Sequence, residues 1–326
     1  MRIAFVGKGG SGKTTLSSLF ARHLHAQGLP VLAIDADINQ HLAVALGMDE
    51  AEAARLPAMG SDLAFVKDCL RGRNPRIASA AATTKTTPPG SGSRLLRLAE
   101  DNPIYTRFER TAGGVRLLAT GPFDDADLGV ACYHSKTAAV ELLLSHLIDG
   151  PGEYVVVDMT AGADSFASGL FTRFDLTVLV AEPTARAVGV CRQYQRYAAG
   201  FDLAIAVVGN KAVDGEDRAF LRRELGADLL ACLGRSDYVR TVERGDVWPI
   251  SQLEAANRQA LERLRAAVDA IDKDWAAFHR QTVEFHIRNA RVWGNAAAGL
   301  LGQIDPTFVI SPLCLSDPQP RRLLCP

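Results

Sequence analysis

Short apolar runs alternate with longer stretches in which apolar residues recur three and four apart, and this rhythm persists over most of the chain. Ile3-Ala4-Phe5-Val6, Val31-Leu32-Ala33-Ile34, Val115–Ala119, Tyr154–Val157, Leu176–Ala181, Leu203–Val208 and Leu229–Leu233 read as short buried strands. Between them, Leu16, Leu19, Phe20 and Leu24 share one helical face, as do Val140, Leu143, Leu144 and Leu147. Further helical patterns cover Val188–Cys191, Phe220–Leu225 and about 252–272. Strands apolar on both faces and separated by helices predict an α/β fold: a doubly wound, mostly parallel sheet with helices on both faces.

The rhythm fails in two places. Residues 48–113 carry little periodicity, and Thr83 to Ser93 is rich in Thr, Pro and Gly. That run reads as a mobile polar surface loop, with a lid or partner surface as the alternative. Past Asp274 a new helical stripe begins, with Trp275, Phe278, Thr282, Phe285, Asn289 and Val292 on one face. It predicts a C-terminal helical extension that docks on its own core or on a partner subunit. His279 and His286 lie seven apart on it and read as packing residues rather than a metal pair. The organisation expected is therefore a main domain over 1–272, an extension over 273–310 and a disordered tail over 311–326, where Pro312, Pro318, Pro320 and Pro326 fall.

Composition removes several function classes. Lysine and arginine total 36 against 37 acidic residues, so no global basic field points to a nucleic-acid partner. No apolar stretch approaches the roughly 18 residues a membrane span needs. The six cysteines, at 69, 132, 191, 232, 314 and 325, form no CxxC pair and no disulfide framework. With a strand beginning at once and no room for a signal peptide, a cytoplasmic location is expected.

The densest chemical signal is Gly7-Lys8-Gly9-Gly10-Ser11-Gly12-Lys13-Thr14-Thr15, set between the first strand and the first helix. Glycines let the backbone curl until several N–H groups face one anion, and the helix start adds its positive dipole end. In that Walker A spacing Lys13 would reach the β- and γ-phosphates and the Thr14 hydroxyl would ligate Mg²⁺. Lys8 reads either as a solvated loop cation or as a functional one. A second strong signal is the apolar strand ending in Asp158, a carboxylate placed to hold Mg²⁺, with Gly162 four residues on as a γ-phosphate switch.

Other residues keep two readings open. Asp35 and Asp37 sit at the carboxyl end of a strand, where open α/β sheets bind ligands, and could serve Mg²⁺, a water nucleophile or the cap of the next helix. Asn210-Lys211 ends another strand like a base-reading edge, but Val213 stands where a GTPase pattern needs Asp, which favours adenine. Cys132 and His134 are Zn²⁺- or Ni²⁺-capable side chains ahead of a helix, two short of a site unless a symmetric dimer doubles them.

Lys8-Gly9-Gly10-Ser11-Gly12-Lys13-Thr14 resembles the deviant Walker A loop of the partition, septum-placement, nitrogenase iron-protein and metal-insertion ATPases. With Asp35-Ala36-Asp37, Asp158 to Gly162, Glu182-Pro183-Thr184 and Gly209-Asn210-Lys211, residues 1–272 resemble the carbon monoxide dehydrogenase accessory ATPases, its nickel-insertion branch. The resemblance implies a P-loop NTPase fold that binds ATP and Mg²⁺ and forms a nucleotide-dependent homodimer acting on a client protein. It implies that Gly9, Gly10, Ser11, Gly12 and Thr15 line the nucleotide and that Lys8 crosses to the partner's nucleotide. Asp37 would orient the attacking water and Asp35 would stand beside the metal. That branch carries a Cys-x-Cys pair at its dimer interface, and Cys132-Tyr133-His134 falls at the matching place with His in the second position. Imidazole is also a good nickel or zinc ligand. The expected function is a metal-insertion or maturation ATPase, with a positioning or partition ATPase and a nucleotide-gated regulator as alternatives.

Overall fold

The computed structural model describes residues 1–123, 133–160, 166, 168–246, 248–292 and 294–315. Its strands are Arg2–Gly7 (β1), Val31–Ala36 (β2), Leu96–Arg97 (β3), Arg110–Ala112 (β4), Val115–Ala119 (β5), Leu147–Ile148 (β6), Tyr154–Met159 (β7), Leu176–Ala181 (β8), Ile205–Ala212 (β9) and Leu229–Gly234 (β10). One sheet runs β10-β9-β8-β1-β7-β2-β5-β4, parallel throughout except for the β4–β5 pair. β3 and β6 form a separate parallel pair.

Alternation along each central strand divides the core into two layers. Ala4, Val6, Leu32, Ile34, Val155 and Val157 face one side, with the helix Ala138–His146 and Val188 and Cys191 of the helix Ala185–Ala198. Ile3, Phe5, Ala33 and Val156 face the other, against Leu16, Leu19 and Phe20 of the helix Lys13–Ala26 and Leu261 of the helix Ala255–Asp269. Each large apolar side chain buried this way contributes about 1.5–3 kcal/mol, which is why the strands read as unbroken apolar runs. β9 extends beyond the expected Val208 and carries Asn210 and Lys211 inside the strand.

The structure corrects one expectation. The Thr83 to Ser93 run is no free surface loop: Thr86, Thr87 and Ser93 are buried beneath the C-terminal segment. Thr87 Oγ1 donates to Gln303 Oε1 at 2.8 Å, Gln303 Nε2 to the Ala82 carbonyl at 2.7 Å, and the Ser91 amide to Asp305 Oδ2 at 3.0 Å. Polar side chains that pair with one another can be covered without leaving orphaned groups, so hydrophilicity misreports the burial. Within the segment 311–315, Pro312–Leu315 forms a 3₁₀ helix and Cys314 Sγ contacts the Val309 carbonyl.

The extension is the helix Trp275–Val292 followed by Ala297–Leu301. Phe285 meets Phe171 and Phe201, and Thr282 Oγ1 accepts from Arg173 Nη1 at 2.8 Å. Both ring nitrogens of His286 are engaged, with Thr86 Oγ1 at 3.1 Å and the Leu300 carbonyl at 2.8 Å, as a packing role requires.

Under this helix lies Glu141, fully buried beside Ser168 and Gly169. Burial, only partly offset by Arg173, raises its pKa to about 7. A carboxyl with a folded pKa above its unfolded value loses stability as pH rises between the two. The stability of Glu141→Gln relative to wild type is therefore expected to increase by about 3 kcal/mol between pH 4.5 and 7, whatever its constant offset. Urea unfolding across that range measures it, and parallel curves would refute the protonated Glu141.

Candidate nucleotide site

The loop joining β1 to its helix is shaped by glycines that no other residue could replace. A Cβ on Gly7 would stand 2.5 Å from the Val180 carbonyl oxygen, and one on Gly12 would collide with the Asn210 side-chain amide. Gly10 and Gly12 adopt φ of +79° and +91°, the left-handed region open to glycine. The Ser11 amide donates to the Lys8 carbonyl at 3.0 Å and closes the curl. Lys13, the first helical residue, is buried, and Ser11 Oγ is buried without a partner. A buried cation and an orphaned hydroxyl in a glycine loop at a helix start fit an anion.

Two carboxylates stand behind the loop because β2 and β7 are adjacent and place Asp35 in register with Asp158. Thr14 Oγ1 donates to Asp158 Oδ2 at 2.6 Å, while Asp158 Oδ1 is buried and unpartnered. Burial, reinforced by the Asp35 charge, pushes Asp158 well above the usual carboxylate range. Burial likewise raises Asp35 to about 7, against the pull of backbone amides. The Thr14 hydroxyl and the Asp158 carboxylate form an oxygen donor set that fits a hard divalent ion.

Asp35 is tied into the backbone that follows β2. Oδ2 accepts from the Leu42 amide at 2.8 Å and Oδ1 from the Asp37 amide at 3.1 Å, so it supports the turn and the helix Leu42–Ala45. Asp37 Oδ1 is held by the amide and side chain of Asn39, at 3.0 and 2.9 Å, and Oδ2 has no partner among the described residues. Gln40, at φ +52°, bonds Asp35 at 3.4 Å and accepts from the Gly121 amide at 3.0 Å, a tie that no residue pattern announced.

The opposite flank is the carboxyl end of β8 and β9. Asn210 Nδ2 donates to the Ser11 carbonyl at 2.8 Å, and Lys211 Nζ to the Gly10 carbonyl at 2.7 Å. Glu182, absent from the expected site residues, bonds Lys211 at 2.8 Å and lies 3.6 Å from Lys8 Nζ. The two lysines hold its carboxyl below the usual value despite partial burial. Thr15 lines a cleft of about 230 Å³ that runs past Asn210, Gly234 and Ser236. It also lines one of about 380 Å³ toward Arg22, His41 and Tyr238. Asp214 and Asp217 are spent on helix capping: Asp214 Oδ1 accepts from the Asp217 amide at 2.9 Å and Asp217 Oδ2 from the Val213 amide at 2.7 Å.

The structure thus brings together Lys8, Gly9, Gly10, Ser11, Gly12, Lys13, Thr14, Thr15, Asp35, Asp37, Asp158, Asn210 and Lys211. Gly162 and Cys132 lie outside the described residues, and His134 is described only as backbone in the turn Tyr133–Lys136. Among the described residues, no three His, Cys, Asp or Glu side chains form a metal-binding group. No described helix is long and apolar enough to cross a membrane.

Comparison with known proteins places this geometry. The profile of the CobQ/CobB/MinD/ParA nucleotide binding domain matches residues 3–274. The carbon monoxide dehydrogenase accessory protein CooC of Rhodospirillum rubrum is 31% identical over 271 residues, covering 82% of this chain and 96% of that protein. Among solved structures, the cell division ATPase MinD of Pyrococcus furiosus superposes with a TM-score of 0.53 at 17% identity, over 82% of this chain and 98% of its own. MinD of Pyrococcus horikoshii complexed with Mg-ADP gives 0.52 at 18% identity, over 82% and 96%. At these identities the two MinD structures speak for the fold alone.

Proposed function

The chain belongs to the CobQ/CobB/MinD/ParA nucleotide-binding domain family, and from that premise we propose that it is a magnesium-dependent ATPase. In this reading it works as a nucleotide-controlled homodimeric switch that serves the maturation or metal loading of a client enzyme. The observation that carries the ATPase reading is the Thr14–Asp158 hydrogen bond of 2.6 Å behind the glycine loop, with Asp37 two residues beyond the Asp35 that stands in register with Asp158. Similarity to CooC along nearly its whole length supports the accessory role.

Each residue then has a task. The loop amides and Lys13 bind the phosphates and neutralise charge that builds toward the leaving group. Thr14 and Asp158 would hold Mg²⁺, which when bound supplies further neutralisation of the phosphate oxygens. Asp37 orients water for in-line attack, held in place by Asn39 and by Asp35 behind it. Asn210 spends its amide hydrogen on Ser11, which leaves its carbonyl oxygen to accept from the exocyclic amino group of adenine. Guanine needs a carboxylate at that edge, and Asp214 and Asp217 are committed to capping, so ATP is preferred to GTP. Lys8 crosses to the nucleotide of a second copy. Cys132 and His134, doubled across such a dimer, are the residues offered to Zn²⁺ or Ni²⁺.

Light scattering with and without ATP and Mg²⁺, phosphate release and elemental analysis of the purified protein test the reading together. Dimerisation on ATP and phosphate release are expected. Absence of both overturns the switch. Unchanged metal content in Cys132→Ala/His134→Ala would remove the metal-loading role while leaving the ATPase.

A further inference from the structure

The Glu182 carboxylate is shared by two cations that the nucleotide site uses for different purposes. One oxygen is 2.8 Å from Lys211 Nζ and the other 3.6 Å from Lys8 Nζ. We propose that Glu182 is a positioning residue that parks Lys8 on its own protomer, and so sets the protein concentration at which ATP-loaded copies pair. The inference rests on the dimeric reading above, and its partner is a second copy of this chain carrying ATP.

The two lysines are held unequally. Lys211 is fixed from both ends: its ammonium bridges Glu182 and the Gly10 carbonyl, and its backbone adopts φ +58°, a conformation that costs energy in a non-glycine residue. Strain of that kind persists only where surrounding contacts over-determine it. Lys8 has the longer contact, and its backbone is tied into the loop through the Ser11 amide. Its side chain can therefore swing away while the loop keeps its shape.

When Lys8 departs, the carboxylate keeps Lys211 as its counter-ion and no buried charge is orphaned. The cost of release is then that of one partly exposed ion pair, small enough for the denser negative charge of a neighbouring triphosphate to exceed. A second copy without nucleotide offers no such charge, and Lys8 stays at home. Glu182 in this arrangement favours monomers until ATP is bound on both sides.

Opposed substitutions separate this from a structural role. At saturating ATP and Mg²⁺, Glu182→Gln frees Lys8, and the protein concentration for half-dimerisation is expected to fall roughly fivefold, two such pairs being released per dimer. Lys211→Met leaves the whole carboxylate to Lys8, and the same concentration is expected to rise, by about threefold. Sedimentation or light scattering across a protein dilution series reads both, with saturation checked for each variant by ATP titration. Midpoints equal to wild type, or both variants moving in one direction, overturn the role of Glu182 while leaving the dimer intact. A wild-type protein that stays monomeric at saturating ATP overturns the dimeric reading and this inference with it.

Discussion

Asp37→Ala is expected to lower the rate of ATP hydrolysis at least a hundredfold while leaving ATP binding within a few-fold of wild type. Removing a group that only positions the nucleophile costs about 10²–10⁴ in rate, because the ground-state contacts to the phosphates are untouched. Those contacts come from the loop and Lys13, at the end of β1, whereas Asp37 arrives from β2. The carboxylate also has little structural work, since Asn39 is its sole side-chain partner among the described residues and the turn is carried by Asp35. Phosphate release under single-turnover conditions, with nucleotide binding followed in parallel, measures the split. Equal losses in binding and rate would show instead that Asp37 holds the turn after β2 together. In the dimeric reading, the same variant accumulates as an ATP-bound dimer, which light scattering would register as a mass that no longer falls with time.

The glycine loop, Lys13 and Asp158 were legible in the sequence because each lies in one contiguous run whose chemistry depends on spacing along the chain. The parallel sheet was legible for a related reason, since strands buried on both faces show as unbroken apolar runs. Glu182 was not, because its significance lies in two lysines 174 residues before it and 29 after it, brought together by the order β9-β8-β1. The Thr83 to Ser93 run was misread because burial there is polar, satisfied by Gln303, Asp305 and His286 more than 190 residues away. Local composition reports hydrophobic burial well and reciprocal hydrogen bonding poorly. Asp35 illustrates the middle case: two carboxylates at a strand end fit both a metal and a helix cap, and only the amides of Asp37 and Leu42 decide which work Asp35 does first.

The same rule governs the largest expected loss of stability, at Asp149. Its carboxylate receives Arg2 Nε at 2.7 Å and Lys273 Nζ at 2.7 Å, in a centre where Arg2 and Asp149 are both almost wholly buried. Arg2 also donates to the Leu144 carbonyl at 2.8 Å and lies 4.5 Å from the Phe278 ring centre, which joins the start of β1 to the C-terminal extension. Burial alone would raise the Asp149 pKa, but Arg2 and Lys273 outweigh it and hold the carboxyl well below the usual range. A depressed folded pKa means stability that is present at neutral pH and lost only in strong acid. The Met1 ammonium also lies 2.7 Å from Asp149, so Asp149→Ala deprives Arg2 and that ammonium of their carboxylate and leaves Lys273 with Asp175 alone, 3.0 Å away, for which the cost is about 3–5 kcal/mol. The triple replacement Arg2→Met/Asp149→Leu/Lys273→Met removes these three side-chain charges, leaves the Met1 ammonium and Asp175 in place, and is expected to recover part of that loss, since a buried ion pair and a packed apolar substitute are often comparable. Urea unfolding at neutral pH compares the two. If Asp149→Ala unfolds with the wild-type midpoint, the cations have found other partners, and the extension is held by its aromatic contacts with Phe171 and Phe201 rather than by this charged centre.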